Sequence, residues 1–193
     1  MQVVFERGVY LPEIDLWLDS LRKKETSLIS HAHSDHIARH LRPVLTPNTG
    51  LLLSEYLKKS DPITLQYHEP LDRGKYTLTL YPGGHCLGSA QVLIESKFTG
   101  ERLLYTGDIK IKSSPTNEPL EVVPCDTLII EATYGRPKYV FPNQGRVLDT
   151  ACNTLRSWLS LGEKPVVQGW KLGKSQEVLH HLLGQGFDMM VDE

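Results

Sequence analysis

The sequence predicts an α+β protein in two parts, and three observations carry that expectation. Up to about Glu131, short apolar or alternating runs of strand length recur, with Gly and Pro between them. Beyond Gly135, such runs alternate with stretches carrying apolar residues at helical spacing, the pattern of a parallel α/β unit. Loops dense in His and Asp follow the strands of the first part. A domain boundary near Gly135 is expected.

Val3–Phe5 and Val9–Leu11 flank Gly8 and read as a hairpin, with Ile14–Leu18 as the next extended run. Ser27–Ser30 is a strand leading into a polar cluster, and His36–Leu41 reads as a short helix stopped by Pro43. Val44–Thr46 is a strand and Thr49–Lys59 a helix capped by Thr49 or Asn48. Ile63–Tyr67, Tyr76–Tyr81, Gln91–Glu95 and Arg102–Tyr105 have strand length and pattern, and Asp126–Glu131 reads as a buried strand. Arg146–Leu161 and Ser175–Leu183 read as helices, Val166–Gln168 and Phe187–Val191 as strands.

Composition narrows the function classes. The 193 residues suffice for a sizeable core that buries roughly 70% of the unfolded surface. A net charge of −2 gives no overall basic field, so any nucleic-acid contact must come from local Lys and Arg. Cys86, Cys125 and Cys152 are widely spaced and odd in number, which offers no disulfide framework and favours a reducing compartment. No apolar run approaches the ~20 residues of a membrane span, and Met1–Arg7 lacks the pattern of a secretory leader. A cytoplasmic protein without membrane contact is expected.

The chemistry is concentrated in Ser30-His31-Ala32-His33-Ser34-Asp35-His36. Alternate residues of an extended run share a side, so His31 and His33 can face one ion while Asp35 and His36 address a second position. Imidazole with carboxylate suits zinc or a similar first-row ion. Three later points look like partners: His85 in the Gly-rich turn Pro82–Ser89, Asp108 after Tyr105-Thr106-Gly107, and the strand-terminal Glu131. Each alone is an ordinary loop residue; together, at successive strand ends, they make a site. Two ions sharing a hydroxide lower its pKa toward neutrality and offset charge on phosphate oxygens, with Asp35 placed to orient or deprotonate the attacking water. No Ser-His or Cys-His nucleophile is suggested.

These residues resemble the metallo-β-lactamase superfamily, and within it the β-CASP-like, nucleic-acid-processing branch of ligase-associated DNA exonucleases and mRNA 3′-end-processing-factor-like exonucleases. The match extends to Gly84–Ala90, Leu104–Asp108, Glu131–Gly135 and Gly169–Glu177. The resemblance implies an αββα sandwich over 1–135, N-terminal part only, followed by the start of an α/β cap over 136–193. It assigns His31, His33 and His85 to one zinc and Asp35 and His36 to a second, with Asp108 bridging. Manganese is the alternative ion. It makes Asp19 the residue that braces the ligand loop, and Glu131 the acidic residue closing the catalytic half-domain, in the catalytic set with Asp35 and Asp108. Lys171 and Lys174, in an expected strand-to-helix turn, are candidate contacts to backbone or terminal phosphate, or ordinary solvated lysines. Arg136, Lys138, Lys110 and Lys112 are candidates for lining a groove; His40 is read as a capping or surface residue, His180 and His181 as surface residues, and His68 has no supporting context.

The implied function is a zinc-dependent exonuclease acting on DNA or RNA. The rival readings are a (thio)ester, lactone or lactam hydrolase of the same superfamily and a catalytically impaired nucleic-acid-binding subunit. The family pattern also has a later metal-binding His beyond the cap, which the sequence up to Glu193 does not supply. Three readings are open: a fragment of a longer chain, a short form whose site a homo-oligomer or partner chain completes, or a catalytically impaired relative; the missing half-sheet would leave an exposed apolar face.

Overall fold

The computed structural model describes residues 1–191, in two compact units: Met1–Glu131 and a second that begins at Ala132. The first unit holds two mixed sheets. In one, β1 (Val4–Phe5), β2 (Val9–Leu11) and β3 (Leu16–Leu18) pair antiparallel. β4 (Thr26–Leu28), β5 (Arg42–Leu45) and β6 (Ile63–Thr64) then add on in parallel. In the other, β7 (Pro70–Asp72), β8 (Tyr76–Pro82), β9 (Ala90–Ser96) and β10 (Arg102–Tyr105) form an antiparallel meander, and β11 (Thr127–Ile129) joins β10 in parallel.

Side-chain parity along the strands decides what lies between the sheets. Leu16, Leu18, Leu28 and Val44 from one sheet meet Leu78, Leu80, Val92, Ile94 and Leu103 from the other in a single buried cluster. The next residues along β4 and β5, Ile29 and Leu45, turn to the opposite face and pack with Leu53 and Leu57. That face is covered by α1 (Pro47–Leu52) and the turns after it. Truncating a fully buried leucine here, such as Leu28 or Leu80, costs about 2–5 kcal/mol by cavity formation.

Several sequence expectations are corrected. The helix over His36–Leu41 is absent: a 3-10 turn spans Ser34–His36, Ile37 is already extended, and Leu41 and Arg42 donate their amides to Lys24 and Glu25. Alignment along β4, together with Pro43, outweighs helix propensity there. The helix α1 is shorter than Thr49–Lys59 and its N-cap is Thr46, whose hydroxyl accepts from the Thr49 amide ahead of Pro47 in the first turn. The strand β11 is an edge with Leu128 half exposed, not a buried strand.

In the second unit, α2 (Gln144–Ser160) and α3 (Lys174–Gly184) bury Cys152, Leu155 and Leu182 against Val178, Phe187 and Met189. Neither Val166–Gln168 nor Phe187–Val191 forms a strand, because neither has a ladder partner among the described residues. Asp192 and Glu193, which follow the second run, lie outside the described residues. No helix among the described residues is long and apolar enough to cross a membrane.

Candidate metal centre

The loops that carry the candidate site residues leave the sandwich from the C-terminal ends of β4, β8, β10 and β11, so pairing between strands brings them together. The Ala90 amide bonds the Ser30 carbonyl at 2.8 Å, joining the loop after β4 to the start of β9. Gly107 has φ +55° and lies so close to Ser30 that an added Cβ would fall 2.6 Å from the Ser30 hydroxyl oxygen. Parallel register sets Tyr105 opposite Ile129, so the chain beyond each strand emerges side by side. There Glu131 accepts the Ile109 amide at 3.2 Å.

Asp19 is the floor of the site. It follows β3 with φ +47° and is only 5% exposed. One carboxylate oxygen accepts the Ser30 amide at 2.7 Å. The other accepts the Ser30 hydroxyl at 2.6 Å, the Tyr105 hydroxyl at 2.8 Å and His36 Nδ1 at 2.8 Å. These bonds assign protons. His36 carries its hydrogen on Nδ1, leaving the Nε2 lone pair outward. Ser30, having donated to Asp19, accepts from His31 Nδ1 at 2.9 Å, so His31 also presents a bare Nε2. A serine does therefore touch a histidine here, but Ser30 is 1% exposed and its proton is committed to Asp19, which makes it a positioning group and not a nucleophile.

The ring nitrogens converge. His31 Nε2 and His85 Nε2 lie 3.0 and 3.1 Å from His33 Nδ1. One Asp108 oxygen stands 4.0 Å from His31 Nε2 and 3.7 Å from His85 Nε2. These four ligand atoms lie within 4.8 Å of one another. A tetrahedral ion with ligands at about 2.0–2.1 Å spaces them roughly 3.4 Å apart, so the set fits a zinc-type ion with little adjustment. The other Asp108 oxygen is 3.4 Å from His36 Nε2, which in turn is 4.0 Å from an Asp35 carboxylate oxygen. This second group is looser, and the Asp35 side chain is 78% exposed.

Electrostatics follow from burial among like groups. Burial holds the His31 imidazole far below the ordinary histidine value, with His36, His85 and His33 pushing the same way. Burial, with His33, lowers His85 to about 4 despite the opposing charge of Glu131. Both are thus neutral, metal-ready imidazoles at neutral pH. Burial also pushes His36 down, but the hydrogen bond and charge of Asp19, with Asp108 and Asp35, outweigh it and raise the group. Burial raises Asp108, helped by Glu131, Asp35 and Asp19 and opposed by His36. Four carboxylates around one cluster carry excess negative charge that a divalent cation offsets. Burial pushes the Cys86 thiol up to about 12, so it packs as an inert side chain.

The His85 loop has its own clamps, none readable as chemistry in the sequence. The Ser89 hydroxyl accepts the His85 and Cys86 amides, and Asn117 donates to the Gly84 carbonyl. Glu118 accepts from the Gly88 amide and from the Asn48 side chain, while Thr46 and Thr49 donate to the Gly88 carbonyl. Gly84, at φ +73°, would put a Cβ 2.3 Å from the Lys110 carbonyl oxygen. His40 is not a surface residue: it is 1% exposed, accepts the Lys24 amide on Nδ1, and burial lowers it to about 4. His68 is exposed and bonds Glu121. His180 is exposed, whereas His181 is half-buried. Lys171 and Lys174 lie in the second unit, exposed, where the chain enters α3 from an irregular segment and not from a strand.

No protein-family model matches the chain. The chain is 37% identical over 182 residues to a probable DNA ligase of Opitutus terrae, covering 92% of this chain and 18% of that protein. It is 30% identical over 148 residues to the DNA cross-link repair 1A protein of Mus musculus, covering 72% and 14%. With the RNase J-like protein of Methanocaldococcus jannaschii it shares 34% identity over 101 residues, covering 51% and 24%. The chain spans about a quarter or less of the length of these relatives.

Proposed function

From the premise that this chain belongs to the metallo-β-lactamase/β-CASP nucleic-acid-processing family, we propose that it is a zinc-dependent hydrolase of phosphodiester bonds in DNA or RNA, acting as an exonuclease. The observation that carries the reading is Asp108, whose two oxygens face two different ligand sets. His31, His33 and His85 would hold one ion and Asp35 and His36 a second, with Asp108 shared between the two sets; manganese is the alternative metal. Bound there, the ions supply a nucleophile from water near neutral pH and offset charge on the phosphate oxygens. Asp35, the exposed carboxylate of the set, takes a proton from the incoming water. Asp19 holds the His36 ring and, through Ser30, the His31 ring in the tautomers that ligation needs. Glu131 fixes the Asp108 loop through the Ile109 amide. Lys171 and Lys174 contact substrate phosphate, and the second unit is the start of the α/β cap.

Metal content per chain, measured beside cleavage of end-labelled single-stranded DNA and RNA, tests this reading. Two ions per chain are expected, with cleavage reduced about 10²–10³-fold or more by Asp108→Ala, on the scale of losing one electrostatic stabiliser. Metal-dependent turnover of a thioester or lactone with none of either nucleic acid would overturn it.

A further inference from the structure

Three aromatic rings stand together in water just after Glu131 in the chain. Tyr134 is 55% exposed, Tyr139 41% and Phe141 65%. Tyr134 meets both others edge-to-face, with ring centroids 5.3 Å from Tyr139 and 4.9 Å from Phe141. Two tight turns bring them together: the Gly135 amide bonds the Ala132 carbonyl, and the Tyr139 amide bonds that of Arg136. Edge-to-face contacts fix ring orientation while leaving ring surface open, which is preorganisation without burial.

The charged residues of the segment that carries the rings have one sign. From Ala132 to Leu148 there is no Asp or Glu, while Arg136, Lys138 and Arg146 contribute +3, in a chain whose net charge is −2. Arg136 and Lys138 are exposed between the rings, and Lys138 Nζ lies 5.0 Å from the Tyr139 ring centroid. Rings alone would suit a protein interface as well, but a segment that places Arg and Lys between them without any acid suits a polyanion. Rings for bases and cations for phosphates are the two requirements of single-strand binding.

We propose that Tyr134, Tyr139 and Phe141, flanked by Arg136 and Lys138, form a stacking platform for the bases of a single-stranded nucleic acid. The choice of ligand rests on the phosphodiesterase reading above, and the test is separable from it.

The full chain is titrated in EDTA with fluorescein-labelled oligo-dT and with an abasic oligomer of equal length, read by anisotropy. Wild type should bind oligo-dT at least about tenfold more tightly than the abasic strand. The Tyr134→Leu/Phe141→Leu variant keeps apolar area but loses the rings, and should forfeit about that preference; Tyr134→Phe should keep it. Arg136→Gln/Lys138→Gln should weaken both ligands and reduce the salt slope by about 2. Equal wild-type affinity for the two strands overturns the proposal without need of a variant. So does a leucine variant that binds oligo-dT as wild type does. Concentration-dependent self-association, abolished by Tyr134→Ala/Phe141→Ala but kept by the leucine variant, would instead make the surface a protein interface. Turnover of bis(p-nitrophenyl) phosphate with zinc tests the phosphodiesterase reading by itself, so either can fail alone.

Discussion

Asp19 and Lys171 fix charge in opposite ways. Asp19 is 5% exposed, and its carboxylate accepts from a backbone amide, two hydroxyls and a ring N–H. Lys171 is exposed at the entry to α3, where the Gln176 side chain bonds its carbonyl. The difference follows from what each charge has to do. A group that sets ring tautomers must be immobile, and immobility in a low-dielectric interior requires every lone pair to be met. A cation left on the surface keeps its hydration at little cost, as the proposed contact to phosphate would require.

Removing the acid should break the first half of that comparison most severely. Asp19→Ala leaves the Ser30 amide and hydroxyl, the Tyr105 hydroxyl and His36 Nδ1 without their acceptor, and should lower stability by about 3–5 kcal/mol. It also replaces an aspartate at φ +47°, a conformation alanine tolerates less well. Asp19→Asn keeps one acceptor oxygen and should recover part of the loss; urea midpoints of the two variants in EDTA measure it. Equal, small shifts for both would mean that the carboxylate does not organise the floor.

Ser30→Ala is the next largest break and a more selective one. It removes the acceptor for His31 Nδ1 while leaving the Ser30 amide bond to Asp19 intact. His31 then loses the contact that selects its tautomer, and zinc affinity should fall about 10–100-fold, the usual cost of losing a partner behind a ligand. Competition with a chromophoric chelator reads this directly, and retained affinity would exclude the Asp19–Ser30–His31 relay.

That relay also shows what the sequence could and could not convey. His31, His33, Asp35 and His36 lie within six positions, so the strand-end geometry of the cluster was legible before any fold was known. Ser30 joins Asp19 across 11 residues and Tyr105 joins it across 86, through hydrogen bonds that leave no periodic trace. Glu118 and Ser89, which clamp the His85 loop, look like ordinary loop polars for the same reason. The strands flanking the core followed parity and were readable; the helix expected over His36–Leu41 failed because the chain there is drawn alongside β4, with the Leu41 amide, and that of Arg42 after it, bonded to Lys24 and Glu25. The cap of α1 was misplaced despite a local signal, Pro47 directly after Thr46.

Acidity should sharpen the comparison from the buried side. His40 and His85 are held at about 4, against roughly 6.5 in an unfolded chain. Between those values the unfolded state binds protons that the native state refuses, so the metal-free protein should lose stability as pH falls from about 6.5 to 4. His36 has the opposite sign: its raised value adds stability below about 6.5 that is lost as pH rises through its folded value. His40→Asn keeps an acceptor near the Lys24 amide and removes one titrating group, so its melting temperature in EDTA should depend less steeply on pH between 4 and 6.5. An unchanged slope would place the acid sensitivity elsewhere.

The smallest effect belongs to the exposed side. Lys171→Gln and Lys174→Gln touch no buried contact and should leave the unfolding free energy, read from urea midpoints, within about 0.5 kcal/mol of wild type. If the two cations meet phosphate, each variant should flatten the salt dependence of oligonucleotide binding by about 1, with affinity reduced uniformly across sequences. If they are only solvated, neither slope changes. The outcome is independent of the aromatic surface at Tyr134–Phe141, because charge-only contacts should weaken abasic and ordinary strands alike. A lysine variant that instead discriminated between those strands would mean that the lysines and the rings act as one surface, and the division between buried, geometry-setting charge and exposed, ligand-meeting charge would have to be redrawn.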